Sequence, residues 1–321
     1  MLPLQHLKVI FSDKDLIKVL PLTRILPEIG LKITNNIKSK LGGIKMSENR
    51  MIGPTKFEEY SEKYKEFLSM TRRDGIIEVR LHTNGGPYEH NWEAHTAWSH
   101  AWSDIGRDPE NEVMIISGTG DKWVVGNPDV WETKFMDWPK QKKLEQYHES
   151  LRLLENMIFC IDIPTIGAIN GPGTHCEIAS LCDITICTED ADFFDPHFIG
   201  GTPPGDGMIL TLQNMIGFKK AAYYAYTGKN INGQTALELG IVSEVLPREK
   251  LLPRAWELAE MIMQAPRSAR HLTHSILSRP WKKALVSDQG FQLTHQMYDM
   301  AIDEEGVLER LTKMKGRLMG K

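Results

Sequence analysis

Short apolar segments alternate with longer amphipathic segments through the middle of this chain, and this alternation restricts its possible folds most. The short segments are apolar or β-branched and several end at glycine-rich breaks, as expected of strands. They are residues 75–82, 113–117, 165–169 and 184–187. Residues 94–105 and 144–158 instead repeat apolar side chains at helical spacing. Strands that alternate with helices predict an α/β fold with a mostly parallel sheet.

The strands lie early in the chain, and the region after Asp206 is mainly helical apart from a short strand near residues 242–245. This order predicts a strand-rich core over residues 51–250 and a C-terminal helical subdomain over residues 251–321. The first 50 residues are rich in lysine and poor in acids, and they lack the small-residue cleavage site of a secretory signal. Residues 1–50 are interpreted as a basic extension outside the folded core, whose first 45 residues lie upstream of a start at Met46, with an organelle transit peptide as the alternative.

The composition excludes several classes of function. The apolar content of 41%, the charged content of 25% and the net charge of −4 are ordinary for a globular protein and do not favour nucleic acid or an anionic membrane as a partner. No apolar run reaches the roughly 18 residues of a membrane span. The four cysteines form no Cys-x-x-Cys pair, so we expect reduced thiols, no metal and a cytoplasmic location.

The segment of residues 194–207 carries the strongest chemical signal. It places His197 between Asp195 and Asp206 in a stretch rich in Gly and Pro, which predicts a loop. A second cluster, His175 and Glu177, lies just upstream. An imidazole with a carboxylate partner can take a proton from water, so the two clusters predict a water-activating site.

Each of these residues also has a plainer interpretation. A histidine in a loop is often a surface residue. Asp206 precedes an apolar run that begins at Met208, where it would also serve as a helix N-cap. Glu177 suits the first turn of a helix, because a carboxylate there is favoured by the helix dipole.

Five segments together resemble the crotonase (enoyl-CoA hydratase/isomerase) superfamily. They are residues 119–126, 164–171, 176–183, 227–228 and 236–242. The resemblance implies a spiral of β-β-α turns and a C-terminal helical subdomain that forms homotrimers or dimers of trimers. It also implies two backbone N–H groups that hold an enolate or oxyanion, which places Val125, Gly126 and Thr174 in the substrate site.

Departures from the hydratase pattern indicate a subfamily. Glu177 aligns with the first catalytic Glu of hydratases, but His197 stands at the position of the second, and the glycine-rich loop before Glu177 is shorter. These features and residues 252–259 are similar to the carbon–carbon bond hydrolase branch, the β-diketone hydrolases typified by 6-oxocamphor hydrolase. By that resemblance, His197 with Asp206 activates water, and His175 donates a hydrogen bond to the substrate carbonyl or the departing enolate.

The same resemblance suggests further substrate contacts. His90 falls at the position of a pocket aromatic residue, Trp92 lies two residues on, and Gln296 stands where the branch has an acid. We also expect Phe198 to supply an apolar wall. The predicted reaction is a retro-Claisen cleavage of a cyclic β-diketone through an enolate, without metal or organic cofactor.

Two other functions stay open at this point. The first is an enoyl-CoA hydratase or isomerase that acts on an acyl-CoA thioester. In that case the segment that resembles the family's first oxyanion strand would bind the carbonyl of the thioester. Val124 and Val125 replace the small residues that such close approach favours. A non-catalytic scaffold is the third alternative, because a fold alone does not establish an activity.

Overall fold

A computed structural model describes residues 52–126 and 137–318. The described residues from Pro54 onward belong to one compact unit. The predicted basic extension, residues 1–50, lies outside the described residues, as do residues 319–321 of the predicted helical subdomain.

The main sheet has six strands in the order β1-β2-β4-β6-β8-β11. These strands are β1 (Leu68–Arg73), β2 (Ile76–Leu81), β4 (Val113–Gly118), β6 (Thr165–Ile169), β8 (Ile184–Thr188) and β11 (Glu244–Leu246). Only β1 pairs antiparallel, with β2, and the other four pairings are parallel. The predicted α/β fold with a mostly parallel sheet is confirmed, and the four central strands coincide with the four predicted segments.

Each of the four central strands is followed by a two-residue strand in a second layer. The short strands are β3 (Tyr88–Glu89), β5 (Val124–Val125), β7 (Pro172–Gly173) and β9 (Asp192–Phe193), and β10 (Ile231–Asn232) pairs with β9. Strand β3 runs parallel to β5, and β7 runs parallel to β9. This repetition of a long strand, a short strand and a helix is the predicted crotonase-like spiral.

The helices fill the spaces between strands and dominate the C-terminal half. They are α1 (Phe57–Lys63), α2 (Trp92–Gly106), α3 (Lys140–Cys160), α4 (Glu177–Ser180), α5 (His197–Gly200), α6 (Met208–Ile216), α7 (Phe218–Thr227), α8 (Gly233–Leu239), α9 (Arg248–Met263), α10 (Arg267–Leu277), α11 (Arg279–Ala284), α12 (Gly290–Lys313) and α13 (Lys315–Leu318). A π-helical turn, Leu285–Gln289, joins α11 to α12. The predicted C-terminal helical region is therefore present among the described residues.

The main sheet is covered on both faces, which explains why its central strands are apolar at consecutive positions. Every residue of β4 and β6 is buried. Helices α2 and α3 pack together on one side, where Trp98 and Trp102 are fully buried, as predicted for core residues. Helix α9 covers the other side with Ala255 and Ala259.

Two details of the structure differ from the sequence prediction. The predicted loop over residues 194–207 contains a one-turn helix, α5, and Asp195 Oδ1 accepts the N–H of its first residue, His197 (2.9 Å). Gly201, at a φ of 86°, ends that turn. The predicted strand near residues 242–245 begins only at Glu244, since Val242 N–H bonds back to the preceding helix at Ala236.

None of the helices in the described ranges combines the length and apolar character needed to cross a membrane. All four cysteines are free thiols, and Cys176, Cys182 and Cys187 are buried. Burial raises the pKa of each of these three thiols, so they stay protonated and unreactive.

Candidate active site

The carboxyl ends of the four short strands converge on one cavity. His90 follows β3, Gly126 follows β5, His175 lies two residues after β7, and His197 lies shortly after β9. Ligands of α/β proteins commonly bind at the carboxyl ends of parallel strands. The spiral repeat thus brings together residues that are more than 100 positions apart in the sequence.

The cavity consists of two adjoining compartments of about 50 and 90 Å³. Their walls share His90, His175, His197, Asp206 and Leu311. A buried water needs roughly 10–15 Å³ by a comparable measure. The space therefore suits a compact substrate with a reacting water beside it.

His197 is held by a carboxylate on each side of its ring. Its Nδ1–H donates to Asp195 Oδ1 (3.0 Å), which also accepts the His197 backbone N–H. Its Nε2 lies 3.6 Å from Asp206 Oδ2 and 3.1 Å from the amide nitrogen of Gln296. Asp195 therefore fixes the tautomer of the neutral ring and leaves Nε2 as its basic atom.

The charge state of His197 results from opposing effects. Burial alone would lower the pKa of its imidazole, because it disfavours the cation. The carboxylates of Asp206 and Asp195 outweigh burial and raise this pKa to about 9. Conversely, His197 and His175 lower the pKa of Asp206 despite its burial, so Asp206 is ionised between the two rings.

His175 is held in an uncommon backbone conformation. Its φ of 55° lies in the left-handed region, which costs a non-glycine residue about 1–3 kcal/mol and recurs at functional sites. Trp123 Nε1–H donates to the His175 carbonyl (3.1 Å), and His175 Nδ1–H donates to Glu177 Oε1 (2.8 Å). The other ring nitrogen, Nε2, is left for the cavity.

Glu177 decides the charge of His175. Burial would lower the pKa of the His175 imidazole, but the adjacent Glu177 and Asp206 carboxylates raise it. Asp206 Oδ2 lies 3.5 Å from His175 Nδ1. A protonated His175 presents Nε2–H, so it is a hydrogen-bond donor rather than a base.

Two further histidines next to this pair are neutral. The His90 ring packs on the His175 ring with centroids 4.4 Å apart, and His95 lies 5.5 Å from His90. Burial and the nearby His175 hold the pKa of His90 well below its usual range and lower that of His95 to about 4. The cavity thus combines cationic and uncharged imidazoles a few ångströms apart.

The backbone donors predicted for an oxyanion hole are engaged within the chain. Thr174 N–H donates to the Val124 carbonyl (2.9 Å), and Gly126 N–H donates to the Leu318 carbonyl (3.1 Å). Val125 is buried, and its carbonyl accepts the His90 N–H (3.0 Å). Thr174 and Gly126 line the cavity, but their N–H groups donate to protein carbonyls, whereas the His175 ring has a nitrogen that is not bonded to Glu177.

The remaining predicted residues divide between the cavity and its surroundings. Trp92 and Gln296 line the larger compartment. Glu177 is fully buried behind His175 and is not part of either wall, so it positions that ring without touching a ligand. Phe198 is 44% exposed and contacts Tyr226 in an outer groove, away from the cavity where an apolar wall was expected.

Sequence reasoning missed several residues of the site. Asp195 is absent from the predicted site, although a carboxylate two residues before a histidine can bond both its backbone and its ring. His95 lies one helical turn after Trp92 and is also absent from the predicted site. Leu311 and Leu318 reach the cavity from the C-terminal helices, and no sequence pattern signals that contact.

Two sets of side chains within the described ranges have metal-ligand character. The donor atoms of His175, Glu177 and Asp206 lie within 4.8 Å of one another, and so do those of Asp195, His197 and Asp206. Hydrogen bonds and ion pairs already join these atoms. The expectation that the protein uses no metal stays a prediction.

The role of Glu177 gives a first testable prediction. A Glu177→Gln substitution removes the charge but keeps the shape, so the His175 imidazole should titrate at lower pH by NMR. Glu244→Gln serves as the control, because Glu244 pairs with Arg254 outside the cavity. An unchanged His175 titration in Glu177→Gln would contradict the proposed ion pair.

Comparisons with known proteins agree with the fold. The family described as enoyl-CoA hydratase/isomerase matches residues 73–317. A β-diketone hydrolase from the cyanobacterium Anabaena sp. PCC 7120, bound to (S)-3-oxocyclohexyl acetic acid, is 31% identical, with a TM-score of 0.72 over 77% of this chain and 98% of that one.

Curated relatives include hydratases. A short-chain-enoyl-CoA hydratase from Clostridium acetobutylicum is 31% identical over 55% of this chain and 67% of its own length. A crotonyl-CoA hydratase from Syntrophomonas wolfei is 27% identical over 68% of this chain and 84% of its own length.

Proposed function

The chain belongs to the enoyl-CoA hydratase/isomerase family, and we propose that within it the protein is a cofactor-independent hydrolase that cleaves a carbon–carbon bond of a cyclic β-diketone. One observation carries this proposal. Two imidazoles flank the Asp206 carboxylate in one cavity, and their ring partners suit them to different tasks. His197 has a basic nitrogen beside the cavity, whereas His175 has a donor.

The proposed reaction starts with water beside His197. The neutral ring takes a proton on Nε2 while the water oxygen bonds to one carbonyl carbon of the diketone. The tetrahedral oxyanion then reforms its carbonyl, and the bond to the carbon between the two ketones breaks. The electron pair leaves as an enolate, whose oxygen is stabilised by the Nε2–H of His175.

The reaction closes by returning the proton. His197 gives its proton to the enolate carbon, which leaves a carboxylic acid and a ketone and restores the neutral imidazole. Gln296 cannot carry this proton, because an amide does not titrate. Its Nε2–H donates to the neutral ring, and its Oε1, which has no partner among the described residues, can turn toward the protonated ring. Gln296 therefore orients His197 in both states.

Two features oppose a hydratase mechanism. Hydratases use a pair of carboxylates for acid–base work, and here Glu177 is bound to His175 while His197 replaces the second acid. The Thr174 and Gly126 N–H groups donate to protein carbonyls and are not free for a thioester oxygen. The curated relatives favour enoyl-CoA hydratase as the second candidate.

Substrate turnover tests the proposal directly. We expect the purified full chain to hydrolyse a bicyclic 1,3-diketone to a ring ketone with an acetic acid side chain, in the presence of EDTA and without CoA. Crotonyl-CoA should be hydrated at least about 100-fold less efficiently, because the donors for a thioester are not presented. Rapid crotonyl-CoA turnover with no diketone cleavage would instead establish the hydratase.

We extend the proposal to assembly as a homotrimer through the C-terminal helices. Large apolar side chains on and between these helices are exposed in the single chain. They are Leu272, Ile276, Val286, Phe291 and Ile302, each at least 66% exposed. A second copy of the chain is the partner that such a surface fits, because monomeric proteins rarely expose apolar patches of this kind.

A further inference from the structure

We propose that the turn Lys315–Leu318, here named the C-terminal clamp, determines substrate size by closing the cavity at the strand end that carries Gly126. The inference rests on the proposed function for the identity of the substrate. The clamp itself is defined by contacts of the described residues. The C-terminal clamp takes no part in the proposed proton transfers.

Leu318 forms the closing contact. Its carbonyl accepts the Gly126 N–H (3.1 Å), and its side chain, only 4% exposed, lines the smaller compartment. Its apolar neighbours are Phe194, Val307 and Leu311. Leu318 thus accepts the hydrogen bond of the Gly126 N–H, a predicted oxyanion donor, and its side chain fills the space beside that donor.

Arg317 fixes the clamp from outside the cavity. Its guanidinium stacks on the Phe194 ring at 3.8 Å and donates to the Gly228 carbonyl and to Asn230 Oδ1. Phe194 lies between β9 and His197, so the same ring supports the clamp and the segment that carries the base. Arg317 itself is exposed. Replacing Arg317 by a small residue should therefore loosen the C-terminal clamp without leaving a cavity in the hydrophobic core.

The consequence concerns the shape of the substrate. With the clamp closed, the compartment beside His175 and His197 accepts a compact bicyclic ring. A longer chain leaving past Gly126, such as an acyl-CoA tail, would have to displace Leu318. A substrate group that does not fit a pocket wall of this kind lowers kcat/KM by roughly 10–200-fold.

Arg317→Ala is the main test variant, and Lys313→Ala is its control because Lys313 is an exposed cation that pairs with Glu309 on the same helix. Two quantities are measured on the full chain. The first is amide hydrogen exchange of the peptide that contains Gly126. The second is kcat/KM for the compact bicyclic diketone and for the same diketone with a benzyl substituent.

We expect Arg317→Ala to speed exchange at Gly126 about tenfold and to shift the ratio of kcat/KM toward the benzyl substrate by about tenfold. Lys313→Ala should change neither. Leu318→Ala should shift the ratio in the same direction, and its melting temperature reports whether it folds. Unchanged exchange in Arg317→Ala, or faster exchange with an unchanged ratio in both variants, would overturn the inference.

Failure of the proposed function would be distinguishable from failure of the clamp. If the wild type turns over crotonyl-CoA and no diketone, the hydrolase proposal fails. The clamp is then supported by faster Gly126 exchange together with a higher kcat/KM for crotonyl-CoA in Arg317→Ala. It is rejected if either quantity stays at the wild-type value.

Discussion

Replacing His197 by alanine is expected to lower kcat/KM for the diketone by about three orders of magnitude, within the range for loss of a general base. The ring contributes its Nε2 as the basic atom, and Asp195 holds the tautomer that exposes it. Among the described residues, neither His90 nor His95 has a carboxylate that holds its ring in the way Asp195 holds His197, and His90 is also packed on His175 and hydrogen-bonded to Tyr88. The measurement is steady-state hydrolysis, with circular dichroism to verify the fold.

Two further variants separate chemistry from stability. His197→Gln keeps a polar side chain near Asp195 and is the safer choice if removal of the ring leaves that buried carboxylate without its partner. His100→Ala removes a histidine that pairs with Glu149 and does not line the cavity, so its activity should match the wild type. Wild-type kcat in a folded His197→Gln or His197→Ala protein would exclude His197 as the base.

The long strands could be predicted from the sequence, whereas the short ones could not. Each central strand is buried on both faces, so its apolar run stands out from its neighbours. A two-residue strand such as Pro172–Gly173 is too short to show any periodicity. Yet the short strands set the geometry of the site, because His90, Gly126, His175 and His197 all follow them.

The chemistry of the site was more accessible to sequence reasoning than its packing. His175, His197 and Asp206 were expected near one another from residue type and family resemblance, and the structure brings them together. The approach of Leu318 to Gly126 joins residues 192 positions apart and depends on the packing of the helical subdomain. Phe198 lies at a helical position whose direction depends on α5, a turn that was predicted as a loop.

The distribution of charge within the cavity follows from which imidazoles have carboxylate partners. His175 has Glu177 and His197 has Asp195, and Asp206 lies between them. His90 and His95 are buried and have no such partner among the described residues, so burial keeps them neutral. Placing a neutral ring against the His175 cation limits the number of buried charges while leaving the His175 Nε2–H as a donor for the cavity.

The pH dependence of kcat/KM should show which proton the reaction needs. Because the pKa of His197 is raised to about 9, only about 1% of the rings are neutral at pH 7. If the neutral ring is the base, kcat/KM rises roughly tenfold per pH unit from pH 7 and levels off above about 9. A profile that is flat between pH 7 and 9 would contradict this assignment.

Asp206→Asn should move that profile toward lower pH. The Asp206 carboxylate is the largest of the influences that raise the pKa of His197, so its loss lets burial draw the midpoint from about 9 toward the ordinary 6.5. The plateau should also fall, because Asp206 orients both rings, but the midpoint reports the pKa independently of the plateau. Asp190→Asn, which removes an exposed partner of Arg248, should keep the wild-type midpoint. If Asp206→Asn and Asp190→Asn give the same midpoint in the pH profile of kcat/KM, that midpoint does not report the pKa of His197. The general base would then be another group in the cavity.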